Sequence, residues 1–293
     1  MKRYLFVVNP ISGGRDKEVF LEELERLCRT QNMVYEVLKT RGDNDEERIE
    51  ASIVSFQPNA VVACGGDGTI NLVGRCLIGH PELSLGIIPM GSANGLATEL
   101  HIPEKLEDAL NVLCQGNTLM LDAVQINEQY YCLHLSDLGF NANIVEQFEK
   151  SNLRGQLAYL LFFVKSLFTD HVRRYYFRFP EQGIQCTAAM VVLANGRLYG
   201  MGAEVNPKGR PGDGYFEVCI FRQYPWYAFF GILFRFLTGR LRASRYYELI
   251  RTQSVLISVH RPVELQVDGE ALGSYQDVSA KVIPQALRVL CPA

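Results

Sequence analysis

Over roughly the first 120 residues, short apolar runs alternate with segments whose apolar positions recur at helical spacing. Tyr4–Asn9 is an apolar run stopped by Pro10 and reads as a strand. Lys17–Cys28 lines up Val19, Phe20, Leu24 and Leu27 along one stripe, as a helix would. Val34–Lys39 is strand-like again. Asp43–Phe56 opens acidic and then places Ile49, Ile53 and Phe56 at helical intervals. Ala60–Cys64 is a continuous apolar run bounded by glycines, the pattern of a strand buried on both faces. Thr69–Ile78 predicts a helix, Ser84–Pro89 a strand, and Ser92–Leu100 and Leu106–Cys114 two more helices. Such alternation implies an α/β domain, a parallel sheet with helices on both faces.

After about Leu119 the pattern changes. Strand-like runs crowd together at Met120–Ile126, Tyr130–Ser136, Tyr175–Pro180, Cys186–Ala194, Phe216–Phe221, Ser254–His260 and Val263–Val267, with glycine and proline turns between several of them. Helical spacing returns only at Asn141–Lys150, Gly155–Phe168 and Trp226–Arg242. A β-rich, antiparallel second domain is expected. The division falls at 1–121 and 122–293, with a cleft between the domains and the option that the last strand returns to the first. No repeat, low-complexity segment or flexible linker interrupts the chain.

Composition narrows the picture. Apolar residues make up 48% of the 293, enough for full cores, and the net charge of −3 with dispersed basic residues argues against nucleic-acid binding. None of the eight cysteines forms a CxxC pair, and most sit in apolar runs, as reduced buried thiols do. Met1-Lys2-Arg3-Tyr4 leads straight into a strand, too short an apolar stretch for a secretory signal. The longest apolar stretches, Leu157–Val164 and Trp226–Leu237, fall short of the ~20 residues that cross a bilayer. A cytoplasmic protein is expected. The five histidines show no metal-ligand spacing.

The most informative segment is Ala60–Asn71. A buried strand ends, Gly65-Gly66-Asp67-Gly68-Thr69 follows, and a helix begins. Glycines let several peptide N–H groups point at one place, and the helix N-terminus adds its own unpaired donors, which suits a phosphate. A Walker A Gly-Lys-Ser/Thr is absent, Asn71 stands where a dinucleotide fingerprint needs its third glycine, and the HRD and DFG signatures of protein kinases are missing. A carboxylate inside a phosphate loop is explained if a Mg²⁺ ion lies between them. The bland alternative is a strand–helix turn with glycines for packing alone.

Here the sequence resembles a known family. Gly65–Thr69 matches the loop shared by diacylglycerol, sphingosine, ceramide and NAD kinases. Asn9-Pro10-Ile11-Ser12-Gly13 resembles the NPxSG opening of the lipid kinases, and Gly91-Ser92-Ala93-Asn94-Gly95-Leu96-Ala97 their second glycine loop. Asn195–Gly202 followed by Asp213-Gly214, and Asp268-Gly269-Glu270, are similar to their C-terminal signatures. The resemblance covers nearly the whole chain and is closest to the compact bacterial lipid kinases.

That resemblance implies a kinase using ATP and Mg²⁺ on a lipid hydroxyl, with diacylglycerol or a sphingoid or ceramide-like acceptor. It implies that Asn9, Ser12, Thr40, Gly65, Gly66, Asp67, Gly68, Thr69, Asn71 and Ser92 meet the nucleotide. Glu270 becomes the general base, against the plain reading of a hairpin turn with an exposed glutamate. Asp268 shapes that turn. Asp122 matches an aspartate of a magnesium network that includes Asp67. Asp213, with the carbonyls of Arg210 and Tyr215, matches a structural cation position; the alternative is a turn-forming aspartate. The sequence departs from the bacterial diacylglycerol kinases at Gly95, where they carry an aspartate; sphingosine and ceramide kinases lack it too. Asp137 and Asn143 either line the acceptor cleft or are structural. Trp226–Arg245 mixes aromatics with Arg235, Arg240, Arg242 and Arg245, as a core helix with a basic end or as a helix lying transiently on an anionic inner-membrane face. A homodimer is compatible with the sequence. Two other readings stay open: an NAD kinase, and a catalytically silent lipid- or nucleotide-binding regulator.

Overall fold

A computed structural model of the chain describes residues 2–10, 17–139, 164, 172–199, 203–238 and 240–293. It divides into two compact units, Met1–Leu121 with Gln285–Ala293, and Asp122–Pro284.

In the first unit the strands β1 (Arg3–Val8), β2 (Val34–Lys39), β3 (Ala60–Gly65) and β4 (Ser84–Pro89) form a parallel sheet in the order β2-β1-β3-β4. The helices are α1 (Lys17–Thr30), α2 (Asp45–Phe56), α3 (Asp67–Leu77), α4 (Gly95–Glu99) and α5 (Leu106–Gln115). All six residues of β3 and of β4 are buried, which is why both read as unbroken apolar runs. Alternate residues Tyr4, Phe6 and Val8 of β1 and Ala60, Val62 and Cys64 of β3 pack with Phe20, Leu24 and Leu27 of α1 and with Ala109, Leu110 and Leu113 of α5. The sequence periodicity of α1 therefore marks a real core face.

The second unit is antiparallel. Its strands are β5 (Thr118–Ile126), β6 (Tyr130–Cys132), β7 (Leu135–Leu138), β8 (Arg173–Arg178), β9 (Gly183–Ala188), β10 (Met190–Ala194), β11 (Leu198–Tyr199), β12 (Ala203–Glu204), β13 (Phe216–Phe221), β14 (Tyr247–Thr252), β15 (Ser254–Val267) and β16 (Glu270–Leu290). They run in the order β14-β13-β10-β7-β15-β16, with β8 and β9 added on β15 and β5 and β6 on β16. β15 pairs with β8 through Leu256–Val259 and with β7 through Leu265–Val267, and its register against β16 shifts between these halves. Residues of β10 alternate between two cores: Val191 and Leu193 face one, Met190, Val192 and Ala194 the other. β16 begins in this unit and ends in the first, where Arg288 and Val289 pair in parallel with Ser84 and Leu85.

The structure departs from the sequence reading at several places. Tyr130–Ser136 is not one strand but β6 and β7, broken at Leu133-His134. Cys186–Ala194 divides at Ala189 into β9 and β10, while Ser254–His260 and Val263–Val267 fuse into β15. β14 and most of β16 had no counterpart. Trp226–Arg242 resolves into a 3₁₀ turn at Trp226–Ala228, helix α6 (Phe229–Leu237) and a second 3₁₀ turn at Leu241–Ala243. The expected helices Asn141–Lys150 and Gly155–Phe168 lie outside the described residues, apart from Val164.

Candidate functional site

Each strand of the first unit delivers one predicted contact residue at its carboxyl end. Asn9 follows β1, Thr40 follows β2, Gly65 ends β3, and Gly91-Ser92 follow β4. Backbone bonds hold these ends together: Asn9 N–H to the Cys64 carbonyl at 3.1 Å, Thr40 N–H to Val8 at 2.9 Å and Met90 N–H to Gly65 at 2.8 Å. The carboxyl edge of an open parallel sheet is where such folds bind ligands. Ser12 lies outside the described residues.

The glycine turn leads directly into α3. Gly66 caps that helix, and its carbonyl accepts the N–H groups of Thr69 and Ile70, both at 3.0 Å. The N–H groups of Asp67 and Gly68 open the first turn, where a helix has no internal acceptor for them. Gly65 is constrained by contact: a Cβ there would stand 2.2 Å from Thr69 Oγ1. That hydroxyl accepts the Asn9 amide at 3.2 Å, so Asn9 and Thr69 brace the first and third strands. Asn71 is buried within α3, Ser92 is exposed, and so is Gly68.

Asp67 joins the two glycine loops. Its carboxylate accepts the N–H of Gly95 at 3.0 Å and of Leu96 at 3.3 Å, at the start of α4. Asn94, at φ 49°, folds the second loop on itself by accepting the Gly91 N–H at 2.7 Å and donating to the Gly91 carbonyl at 2.9 Å. Both donors to Asp67 are main-chain groups, which any residue at 95 would supply, so the bonds leave the Gly95 departure without a structural explanation.

Thr40 owes its setting to a residue the motifs do not mark. Asp45 accepts the N–H groups of Arg41 and Gly42, at 2.9 and 2.7 Å, and the Arg48 guanidinium at 2.6 Å. Burial alone would raise its pKa, but these donors outweigh burial and hold the carboxyl below the usual range. The loop after Thr40 is thus pinned to the start of α2. Four of the eight sequence positions from Arg41 to Arg48 take part, yet only the acidic opening of α2 was visible as a signal.

The remaining predicted residues belong to the second unit. Asp122 has no exposed surface, and its carboxylate accepts the Gly214 N–H at 2.6 Å. Its own N–H meets the Pro211 carbonyl at 2.6 Å. Asp122 therefore anchors the 207–215 loop. Asp213 accepts the Tyr215 N–H at 3.1 Å and Arg251 at 2.8 Å. The Arg251 guanidinium lies 4.0 Å over the Tyr215 ring, and its Nε is 3.7 Å from Glu217, whose carboxyl burial pushes up. The Arg210 carbonyl accepts the Gly212 N–H at 2.8 Å. Glu270 stands exposed at the first position of β16, paired with Val267.

These surroundings bear on metals. Among the described residues, no three His, Cys, Asp or Glu side chains gather around one point. A single part-exposed carboxylate, Asp67, beside a cradle of N–H groups fits an ion that takes most of its ligands from phosphate and water. Of the set Arg210, Asp213 and Tyr215, the Asp213 carboxylate is paired with Arg251, a pair that a second ion there would have to displace. Chelation is expected to leave the melting temperature unchanged. Arg251→Met is expected to lower stability by about 0.2–1 kcal/mol, the range of a half-exposed pair. A melting point that drops on adding EDTA would count against this.

Comparison with known proteins matches the chain in two segments. Residues 3–126 match the model of the diacylglycerol kinase catalytic domain, and residues 136–291 that of the YegS C-terminal NAD kinase beta sandwich-like domain. The Lipid kinase YegS of Escherichia coli (strain K12) is 29% identical over 290 residues, spanning 96% of this chain and 94% of its own. A crystal structure from Bacillus anthracis str. Sterne covers 99% of this chain with a TM-score of 0.80 at 18% identity. A diacylglycerol kinase from the same strain gives 0.73 at 15%, again over 99% of this chain and 97% of that one. At such identities these two structures speak for the fold alone: an α/β domain with parallel strands and a β-rich domain.

Proposed function

The chain belongs to the YegS family of lipid kinases, and from that premise we propose that it transfers the γ-phosphoryl group of ATP to a hydroxyl group of diacylglycerol or of a sphingoid or ceramide-like lipid. The observation that carries this reading is the pair of glycine loops at the carboxyl ends of β3 and β4, locked together by Asp67. The first-turn N–H groups of α3 bind phosphate oxygens, and Asn9, Thr40 and Ser92 border the nucleotide. Bound Mg²⁺ would neutralise charge on the phosphates, with Asp67 as its protein ligand.

In the reaction the lipid oxygen attacks the γ-phosphorus. The bond from that phosphorus to the β–γ bridging oxygen breaks, and ADP leaves. The hydroxyl proton passes to Glu270, which acts as general base. The sphingosine-kinase-like second loop, with Gly95 in it, keeps sphingoid acceptors beside diacylglycerol. The test is transfer of labelled phosphate from ATP across diacylglycerol, sphingoid base, ceramide, phosphatidylglycerol and NAD. A labelled lipid and unlabelled NAD are expected. Labelled NAD would overturn the reading in favour of an NAD kinase, and bound ATP without transfer would make the chain a silent regulator.

A lipid acceptor implies access to a bilayer surface, and α6 supplies a suitable face. Ile232, with Phe229 and Leu233, packs into the core of the second unit. On the other side Tyr227, Phe230 and Phe234, three and four residues apart, are 64, 77 and 61% exposed. Arg240, just before the following 3₁₀ turn, and Arg242, within it, are exposed, and the turn packs on α6. The packed face is that of a core helix, and the exposed one is the face a membrane would meet. No helix among the described residues is long and apolar enough to cross a membrane, so contact would be peripheral. Phe230→Ser with Phe234→Ser is expected to weaken sedimentation with phosphatidylglycerol vesicles, and Arg240→Glu with Arg242→Glu to abolish its preference for them over phosphatidylcholine. Unchanged binding in both double variants would refute the contact.

A further inference from the structure

The turn that presents Glu270 is a two-residue hairpin: Val267 pairs with Glu270, and Asp268 and Gly269 between them have φ of 46° and 90°. Two left-handed residues are what a type I′ turn needs, and Asn-Gly or Asp-Gly supplies them equally. Turn propensity therefore does not explain why the first residue is an acid. Its surroundings do. The Asp268 carboxylate is buried and accepts three consecutive backbone N–H groups, from Leu133 at 2.7 Å, His134 at 2.9 Å and Leu135 at 3.0 Å. Its own N–H donates to the Leu135 carbonyl at 2.9 Å. Only an ionised carboxylate accepts on both oxygens without bringing a donor of its own.

The bend it grips is held from the opposite side as well. The Leu133 carbonyl accepts the Asn195 amide at 2.7 Å, and the His134 carbonyl accepts the N–H groups of Asn195 and Gly196, each at 3.0 Å. The same Asn195 amide reaches the Asp122 carbonyl at 2.8 Å. One hydrogen-bonded chain runs from the Glu270 turn through Asp268, the 133–135 bend and Asn195 to Asp122.

We propose that Asp268 is a positioning residue for the phosphoryl-transfer reaction: its carboxylate, clamped on the 133–135 bend, fixes the place from which Glu270 takes the proton. The proposal rests on Glu270 being the base. A base displaced by about 1 Å costs on the order of 100-fold in rate, so the turn has to be held by more than its own two residues. Asn195, on the far side of the bend, acts one step removed.

The test is a kinetic cycle on the full chain with ATP and dioctanoylglycerol or sphingosine, whichever the lipid panel labels. Asp268→Asn keeps the turn's shape but sets an amide against N–H donors. It is expected to lower kcat about 10- to 100-fold with KM for ATP unchanged. In a Glu270→Gln background the same change is expected to do nothing further, since no base remains to be placed. A loss of equal factor in both backgrounds would show a merely structural role and overturn the proposal. So would a wild-type kcat in Asp268→Asn. Should that variant fail to fold, Asn195→Ser carries the same cycle, with a smaller loss expected in the same pattern. A Glu270→Gln enzyme of unimpaired kcat removes the premise, whereas an impaired one with an additive cycle removes the clamp alone.

Discussion

Glu270→Gln is expected to lower kcat for lipid phosphorylation by about 10²- to 10⁴-fold, the contribution of a well-placed general base, and to leave ATP affinity and melting temperature where they are. The expectation of an intact fold comes from the residue's surroundings. Glu270 is exposed, and its carboxylate makes no hydrogen bond or ion pair among the described residues. Glutamine has the same shape, and surface exchanges of this kind cost about 0.5 kcal/mol at most. The turn itself is held through Asp268, by the N–H groups of Leu133, His134 and Leu135, and not through the Glu270 side chain. Steady-state kinetics with ATP and the labelled lipid, alongside a melting curve, checks it. A kcat within a few-fold of the wild type would return Glu270 to the plain reading of a hairpin glutamate.

The turn also shows where sequence reading stops. The Asp268-Gly269-Glu270 motif was legible, but the partners of Asp268 lie more than 130 positions earlier in the chain. Tyr130–Ser136 has the composition of one strand. It breaks at Leu133-His134 because three N–H groups there turn away from the ladder to meet a carboxylate from a distant segment. Local pattern cannot contain that. Elements buried on both faces, such as β3, β4 and β13, were plain from their apolar runs. β14 and β16 were missed because most of their residues are partly buried or exposed, and β16 also carries Gly273 and Pro284. The glycine loops were visible through their rare residue order. What Asp67 and Asp213 actually touch was not, since Leu96 and Arg251 are ordinary residues in ordinary places.

The contact between the two glycine loops yields the other large effect. A Cβ on Gly91 would lie 2.5 Å from the Gly66 Cα and 2.9 Å from Asn94 Oδ1, and one on Gly66 would lie 3.1 Å from the Gly91 Cα. The obstacle is backbone on both sides, so no rotamer relieves it. Nor can the loops part freely, because Met90 N–H is bonded to Gly65 and Asp67 to Gly95 and Leu96. Gly91→Ala is therefore expected to cost about 1–3 kcal/mol, as overpacking does. ATP binding should weaken by the corresponding factor of about 5 to 150 as the loops are driven apart. Gly68→Ala separates this packing effect from ligand contact. A Cβ on Gly68 meets nothing within 4 Å, and alanine favours the first turn of α3 more than glycine does. Its melting temperature should hold or rise. If triphosphate lies against that turn, the added methyl occupies the ligand's space and ATP affinity falls without any loss of stability. Two adjacent loops would then differ in what the same methyl group does to stability. Gly91→Ala would lose stability and binding together, and Gly68→Ala binding alone; undiminished ATP affinity in Gly68→Ala would mean that the phosphates lie elsewhere.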